Sequence, residues 1–132
     1  MIVVDTTVLT ELFVHETTSA AVERLRRQNP EWAAPDLWRH ELICVMWKHI
    51  RIGWGSVPVA ESAMKLADEI MGSTTFRLSA ATVLSTALEF EISTYDAHFV
   101  ALAREMNTTL YTHDRSLIKK CPEIAKHPEE VG

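Results

Sequence analysis

Short apolar or β-branched runs alternate along the chain with longer amphipathic stretches, and no two of the runs are placed to form a hairpin. Ile2-Val3-Val4 is the first run. Residues 32–35, 75–78, 92–94 and 109–112 are the others. Apolar residues at helical spacing predict helices over 6–14, 17–27, 36–52, 59–71, 79–91 and 97–106, with a last helical turn over 115–119. Strands joined through helices pair in parallel, and helices then cover both faces of the sheet. The expected class is therefore α/β with a central parallel sheet. Ligands of such sheets bind beyond the carboxyl ends of the strands, where the strand order reverses.

The 132 residues allow one domain, spanning 1–132, and the polar tail after about residue 120 has no clear element. Hydrophobic residues make up 47% and charged residues 23%, which excludes a disordered chain. No apolar run has the ~18 residues of a membrane helix. Residues 1–9 carry Asp5 and no basic segment, unlike a signal peptide. Cys44 and Cys121 give neither a disulfide framework nor a zinc spacing, and read as reduced thiols of a cytoplasmic protein.

The chain has five aspartates, and three of them, Asp5, Asp96 and Asp114, fall at the carboxyl ends of expected strands and just before expected helices. Each could be a helix N-cap. Three N-caps on one edge of a sheet would repel one another unless a cation held them. Glu41 is the fourth acid out of place. At about 100° per residue, Leu37, Trp38, Cys44 and Val45 share its helix face. An ionised acid there is costly unless paired, and neither Arg39 nor Lys48 is well placed to pair with it. Four carboxylates converging on one edge suit a hard divalent cation, with Mg²⁺ as the expected ion, and so phosphate chemistry by metal-assisted hydrolysis. The net charge of -5 (18 acids, 13 bases) does not oppose this, since the chain without those four acids is nearly neutral.

Several segments together resemble a PIN domain, and among PIN domains the VapC toxins of toxin–antitoxin pairs. Residues 2–9 resemble the opening strand with its first acid. Pro35-Asp36-Leu37 followed by Glu41 resembles the helix with the second. Ser93-Thr94-Tyr95-Asp96-Ala97 resembles the family's YDA segment, and Thr112-His113-Asp114 its T-x-D ending. The resemblance covers residues 2 to about 119. It implies a three-layer α/β/α fold and Mg²⁺- or Mn²⁺-dependent cleavage of single-stranded RNA at Asp5, Glu41, Asp96 and Asp114. It also implies a supporting hydroxyl at Thr112, to which Thr6 and Thr7 could add theirs. A homodimer and a small antitoxin partner are implied as well. An orphan nuclease of RNA turnover and a non-catalytic binding module of the same fold are the alternatives. Phosphoaspartyl chemistry at Asp5 fits less well, because Thr7 stands where a second acid would be needed.

Other polar residues have plainer expectations. His15, His49 and His127 are expected at the surface, and His98 and His113 on a solvated edge beside site acids. Arg115, Lys119 and Lys120 could hold phosphates but need only be solvated. Trp38, Trp47 and Trp54 are expected to pack rather than stack on bases. The 36–52 helix carries a second apolar face through Ile43, Met46, Trp47 and Ile50. Neighbouring helices cover that face, or Ile43, Trp47, Ile50 and Trp54 meet another chain.

Overall fold

The computed structural model describes residues 1–131. Five strands, β1 (Ile2–Val4), β2 (Trp32–Pro35), β3 (Thr75–Phe76), β4 (Leu110–Tyr111) and β5 (Ala125–Lys126), form one sheet in the order β3-β2-β1-β4-β5. Every pairing is parallel. The helices are α1 (Thr6–Phe13), α2 (Ala20–Gln28), α3 (Leu37–Arg51), α4 (Val57–Met71), α5 (Ala80–Phe90), α6 (Thr94–Glu105) and α7 (Arg115–Lys120). The chain builds outward from β1 to β2 and β3, then returns to the other side of β1 for β4 and β5. The order therefore reverses between β1 and β4, where open α/β sheets hold their ligands. The α/β/α expectation is met.

Central strands buried on both faces need apolar side chains throughout. Ile2, Val3, Val4, Trp32, Ala33, Ala34 and Leu110 are all buried. Helix α6 packs against β1, β2 and β4, while α3 and α4 pack against β2, and α1 packs against α3 and α4. The largest fully buried side chain is Trp38. Its indole N–H donates to Thr75 Oγ1 at 2.9 Å, and that hydroxyl donates to the Met71 carbonyl at 2.7 Å. Pairing the indole N–H in this way removes the desolvation cost that burying it would otherwise carry.

Three expectations are corrected. Residues 92–94 form no strand. Ser93 instead caps α6, its hydroxyl accepting from the Asp96 amide at 3.1 Å, and the helix starts at Thr94. Asp96 thus lies in the first turn of a helix, not at a strand end. Replacing Ser93 by Ala should cost about 1 kcal/mol, read as a lowered urea midpoint with an unchanged slope. The tail contributes β5, paired with β4 through Leu110–Ala125 and Tyr111–Lys126. By spacing, Leu84 and Leu88 share the apolar stripe of the 79–91 helix with Val83 and Ala87 and should face inward, yet they are 55% and 81% exposed. Helix α5 meets α6 through the smaller side chains Val83, Thr86 and Ala87, which lets the two helices approach closely and turns the leucines outward.

Helix α3 divides its second apolar face. Met46 is buried, whereas Ile43 and Trp47 are exposed, because α4 covers only part of it. Trp54, in the loop after α3, is 73% exposed. Trp38 packs in the core, whereas Trp47 and Trp54 lie at the surface, Trp47 under the Arg51 guanidinium and Trp54 stacked on His49. No helix among the described residues is long and apolar enough to cross a membrane.

Candidate active site

Strand register decides what meets at the switch point. Val4 pairs with Tyr111, so the next residues, Asp5 and Thr112, leave the sheet side by side. The Asp5 amide donates to the Tyr111 carbonyl at 3.2 Å and the Thr112 amide to the Lys126 carbonyl at 3.0 Å. Asp5 is buried and Thr112 completely so. The Asp5 carboxylate accepts from the hydroxyls of Thr112 and Thr7 and from the amides of Thr7 and Val8, the last two as N-cap of α1. Burial still pushes its pKa up to about 6, against the pull of those donors.

Thr112 Oγ1 has two jobs. It donates to Asp5 and accepts from the Asp114 amide at 3.0 Å. Asp114 caps α7 through the amides of Ser116 and Leu117. Thr7 acts similarly on the other side of Asp5, its hydroxyl accepting from the His113 amide at 3.0 Å. Thr6 Oγ1 donates to Glu41 Oε1 at 2.7 Å, which joins the first turn of α1 to the second turn of α3.

Glu41 and Asp96 are half-buried and both titrate above the ordinary carboxyl range. Burial is the main cause for each. The charge of Asp96 adds to the rise at Glu41, and that of Asp114 adds to the rise at Asp96. Thr6 and the charge of His98 oppose it at Glu41, as Ser93 and the charge of Lys120 do at Asp96. The four acids therefore form a linked group: Glu41, Asp96 and Asp114 through their charges, and Asp114 and Asp5 through Thr112. Arg39 does not pair with Glu41. It binds Asp68 at 2.9 Å.

Among the described residues no three or more His, Cys, Asp or Glu side chains stand close enough together to hold a metal ion between them directly. The carboxylates are held by hydroxyls and amides, and like charges separate where nothing bridges them. The donor set is nonetheless all hard oxygen, as Mg²⁺ or Mn²⁺ requires. Mg²⁺ also keeps several waters and needs only one or two direct carboxylates, so the residues fit a hydrated ion better than a closed cage.

A second polar cluster stands beside this edge and was not visible in the sequence. Glu11, on α1, is buried and accepts from the amide and hydroxyl of Ser19 at 2.8 and 2.7 Å. Burial raises its pKa, but the Ser19 donors and the charge of His113 outweigh that and hold it below the usual range. His113 Nε2 lies 2.8 Å from Glu11 Oε1, off the line of a hydrogen bond. His113 Nδ1 is 3.2 Å from His127 Nε2, and His127 Nδ1 accepts from the Glu129 amide at 3.2 Å. The last bond assigns the proton of neutral His127 to Nε2, so His127 donates to His113. His127 is thus a buried link between the 3₁₀ turn Pro128–Glu130 and the loop after β4, not the surface residue its polarity suggests. The signal that could have found this cluster, the pairing of β5 with β4, spans only two residues.

The PIN-domain family model matches residues 2–122. Over 127 residues the sequence is 32% identical to ribonuclease VapC3 of Pyrobaculum aerophilum, covering 93% of this chain and 96% of that protein. The fold is similar to the crystal structure of PAE2754 from the same organism, with a TM-score of 0.73 at 22% identity over 93% of this chain and 81% of that one. It is also similar to a chain of a toxin–antitoxin complex from Klebsiella pneumoniae, with a TM-score of 0.71 at 18% identity over 99% and 100% of the two chains.

Proposed function

This chain belongs to the PIN-domain family, and from that premise we propose that it is a metal-dependent endoribonuclease, the toxin of a toxin–antitoxin pair. The observation that carries the reading is the linked group of carboxylates, Asp5, Glu41, Asp96 and Asp114, at the edge where the strand order reverses. A side-chain nucleophile is not needed at such a site. Asp5, Glu41 and Asp114 have fixed donors, and none of the four acids is paired with a lysine or arginine among the described residues, which leaves their charge to be met by a cation.

Mg²⁺ or Mn²⁺ is the proposed cofactor, and Asp5, Glu41, Asp96 and Asp114 are the residues that would hold it, directly or through water. When bound, the ion supplies an acidified water and stabilises charge on the phosphate oxygens. The residues of the chain do the rest. Asp5 is fixed by Thr7 and Thr112 and presents its carboxylate from the floor of the site. Thr6 fixes Glu41 on the opposite bank. Glu41, Asp96 and Asp114, only half-buried, are the acids a water could reach and be oriented by. The product is an RNA phosphodiester hydrolysed in line, with the chain acting as a rigid frame.

The proposed partners are RNA as substrate, a small antitoxin protein and a second copy of the chain. The ribonuclease relative and the toxin–antitoxin complex among the structural relatives support this reading. The exposed Ile43, Trp47 and Trp54, with the half-buried Ile50, are apolar surface of the kind that a protein partner covers. The cytoplasm is the proposed location.

Incubation with single-stranded RNA tests the proposal. Cleavage should stop in a chelator and return on adding Mg²⁺ or Mn²⁺. Asp96→Asn should not cleave, and its melting temperature should equal or exceed that of the wild type, since one member of a repelling group has been neutralised. Cleavage that continues in chelator, or in Asp96→Asn at the wild-type rate, overturns the reading.

A further inference from the structure

A cluster of carboxylates repels the polyanion that a nuclease must hold. Bound metal offsets that repulsion at the reacting phosphate, but it gives no hold on the phosphates to either side. Holding them needs cations flanking the acids on the same edge of the sheet.

The structure provides one such place on the β3 side. An open cavity of about 510 Å³ is lined by Arg77 and His98, with Asp36 and the apolar wall of Leu78 and Val83. Arg77 is the first residue after β3, so it leaves the sheet at the same carboxyl edge as Asp5 and Thr112. His98 joins the cavity to the acidic group, since it lines the cavity from α6, two residues after Asp96. Its Nδ1–H donates to the Thr94 carbonyl at 2.6 Å, which fixes the ring on α6.

Arg77 is unlike the other arginines placed near acids. Arg39 is bound to Asp68 and Arg104 to Glu89, and Arg115 reaches Glu129 at 3.7 Å. Arg77 forms no hydrogen bond or ion pair among the described residues, although Asp36 lines the same cavity. An unengaged guanidinium keeps all its donors, and its planar fork matches two oxygens of a phosphate.

We infer that the Arg77–His98 cavity is a phosphate subsite, which holds the RNA backbone beside the acidic group on the β3 side. The inference rests on the nuclease reading. β3 is two strands from β1, roughly 10 Å by the spacing of neighbouring strands. The phosphate at Arg77 is therefore a neighbour of the reacting one, not the reacting one itself. On the far side of the acids, Arg115 and Lys119 line another open cavity of about 530 Å³. The edge reads cation, acid, cation, and an RNA strand laid across it runs perpendicular to the β-strands.

RNA binding read against salt tests this. Asp5→Asn serves as the parent, so that the oligonucleotide is not cut, and binding is followed by fluorescence anisotropy in Mg²⁺ from low to high KCl. Arg77→Ala in that parent should weaken binding about fivefold at low salt. It should also reduce the slope of log K against log salt by about 0.7, the value of one phosphate contact on a single strand. Arg77→Lys should restore most of the slope, because it keeps the charge, but only part of the affinity, because it loses the fork. Melting temperatures should stay unchanged, as expected for an exposed side chain with no partner. An unchanged slope in Arg77→Ala, with the wild type still cleaving RNA, overturns the subsite alone. If the wild type neither cleaves nor binds RNA, the nuclease reading falls and the subsite falls with it.

Discussion

Asp5→Asn should reduce RNA cleavage by about a thousandfold, a loss of some 4 kcal/mol of transition-state stabilisation, and at the same time make the metal-free protein more stable. The two effects have one origin. Asp5 is buried with its pKa raised to about 6 from 3.8. Between those values the native state holds more protons than the unfolded chain, so this residue's contribution to stability falls as pH rises from about 4 to about 6. Above pH 6 the full cost of the buried charge is present, and two pKa units correspond to about 3 kcal/mol. Asparagine does not titrate. It can still accept from the Thr7 and Val8 amides, and its amide can meet Thr112. The variant should therefore exceed the wild type by about 1–3 kcal/mol at pH 7.5, and the difference should vanish near pH 4. Urea unfolding of both proteins in chelator, at pH 4.5 and 7.5, measures this. The comparison removes Glu11, whose lowered pKa acts the other way and is shared by both. A wild type more stable than Asp5→Asn at pH 7.5 without metal would show that the hydroxyl donors outweigh burial.

Thr112→Val should be damaging in both respects. The side chains are nearly equal in volume and the position is completely buried, so packing is preserved. What is lost is one hydroxyl that donates to Asp5 and accepts from the Asp114 amide. A buried carboxylate loses a donor and a backbone N–H loses its acceptor, which together should cost about 2–4 kcal/mol. Asp5 should titrate still higher, and Asp114 loses the bond that fixes it relative to Asp5. Cleavage should fall steeply, and Thr112→Ser should recover both stability and activity. A Thr112→Val protein as stable as the wild type would mean that water or a shift of α7 replaces the hydroxyl.

The sequence made some of this readable and not the rest, for identifiable reasons. β1 and β4 are apolar runs that end in Val4-Asp5 and Tyr111-Thr112-His113-Asp114, so a strand and an acid beyond it announce each other. Glu41 was conspicuous because an acid on a largely apolar helix face needs a partner, and Thr6 is one that no helical wheel could supply. Asp96 stands out in the sequence through a strand that the structure does not contain. Ile92-Ser93-Thr94 has the composition of a short strand, yet Ser93 makes a good N-cap, and the cap prevailed. On α5, periodicity located an apolar stripe but not which half of it meets α6. Close helix packing chose Val83 and Ala87 over Leu84 and Leu88. β5 and the buried His127 depend on a partner strand far from them in the chain, and a two-residue strand carries no pattern of its own.

The bond between Thr112 and Asp5 joins residues 107 apart in sequence, and this has a consequence for synthesis on the ribosome. At about 5–20 residues per second, some 5–20 seconds pass between the making of Asp5 and of Thr112. Throughout that interval the first strand is present but the strand that completes its active edge is not. β4 must also dock between β1 and β5 before Thr112 is locked in place. A nascent chain therefore carries Asp5 through that interval without the strand and the hydroxyl that fix its carboxylate in the folded protein.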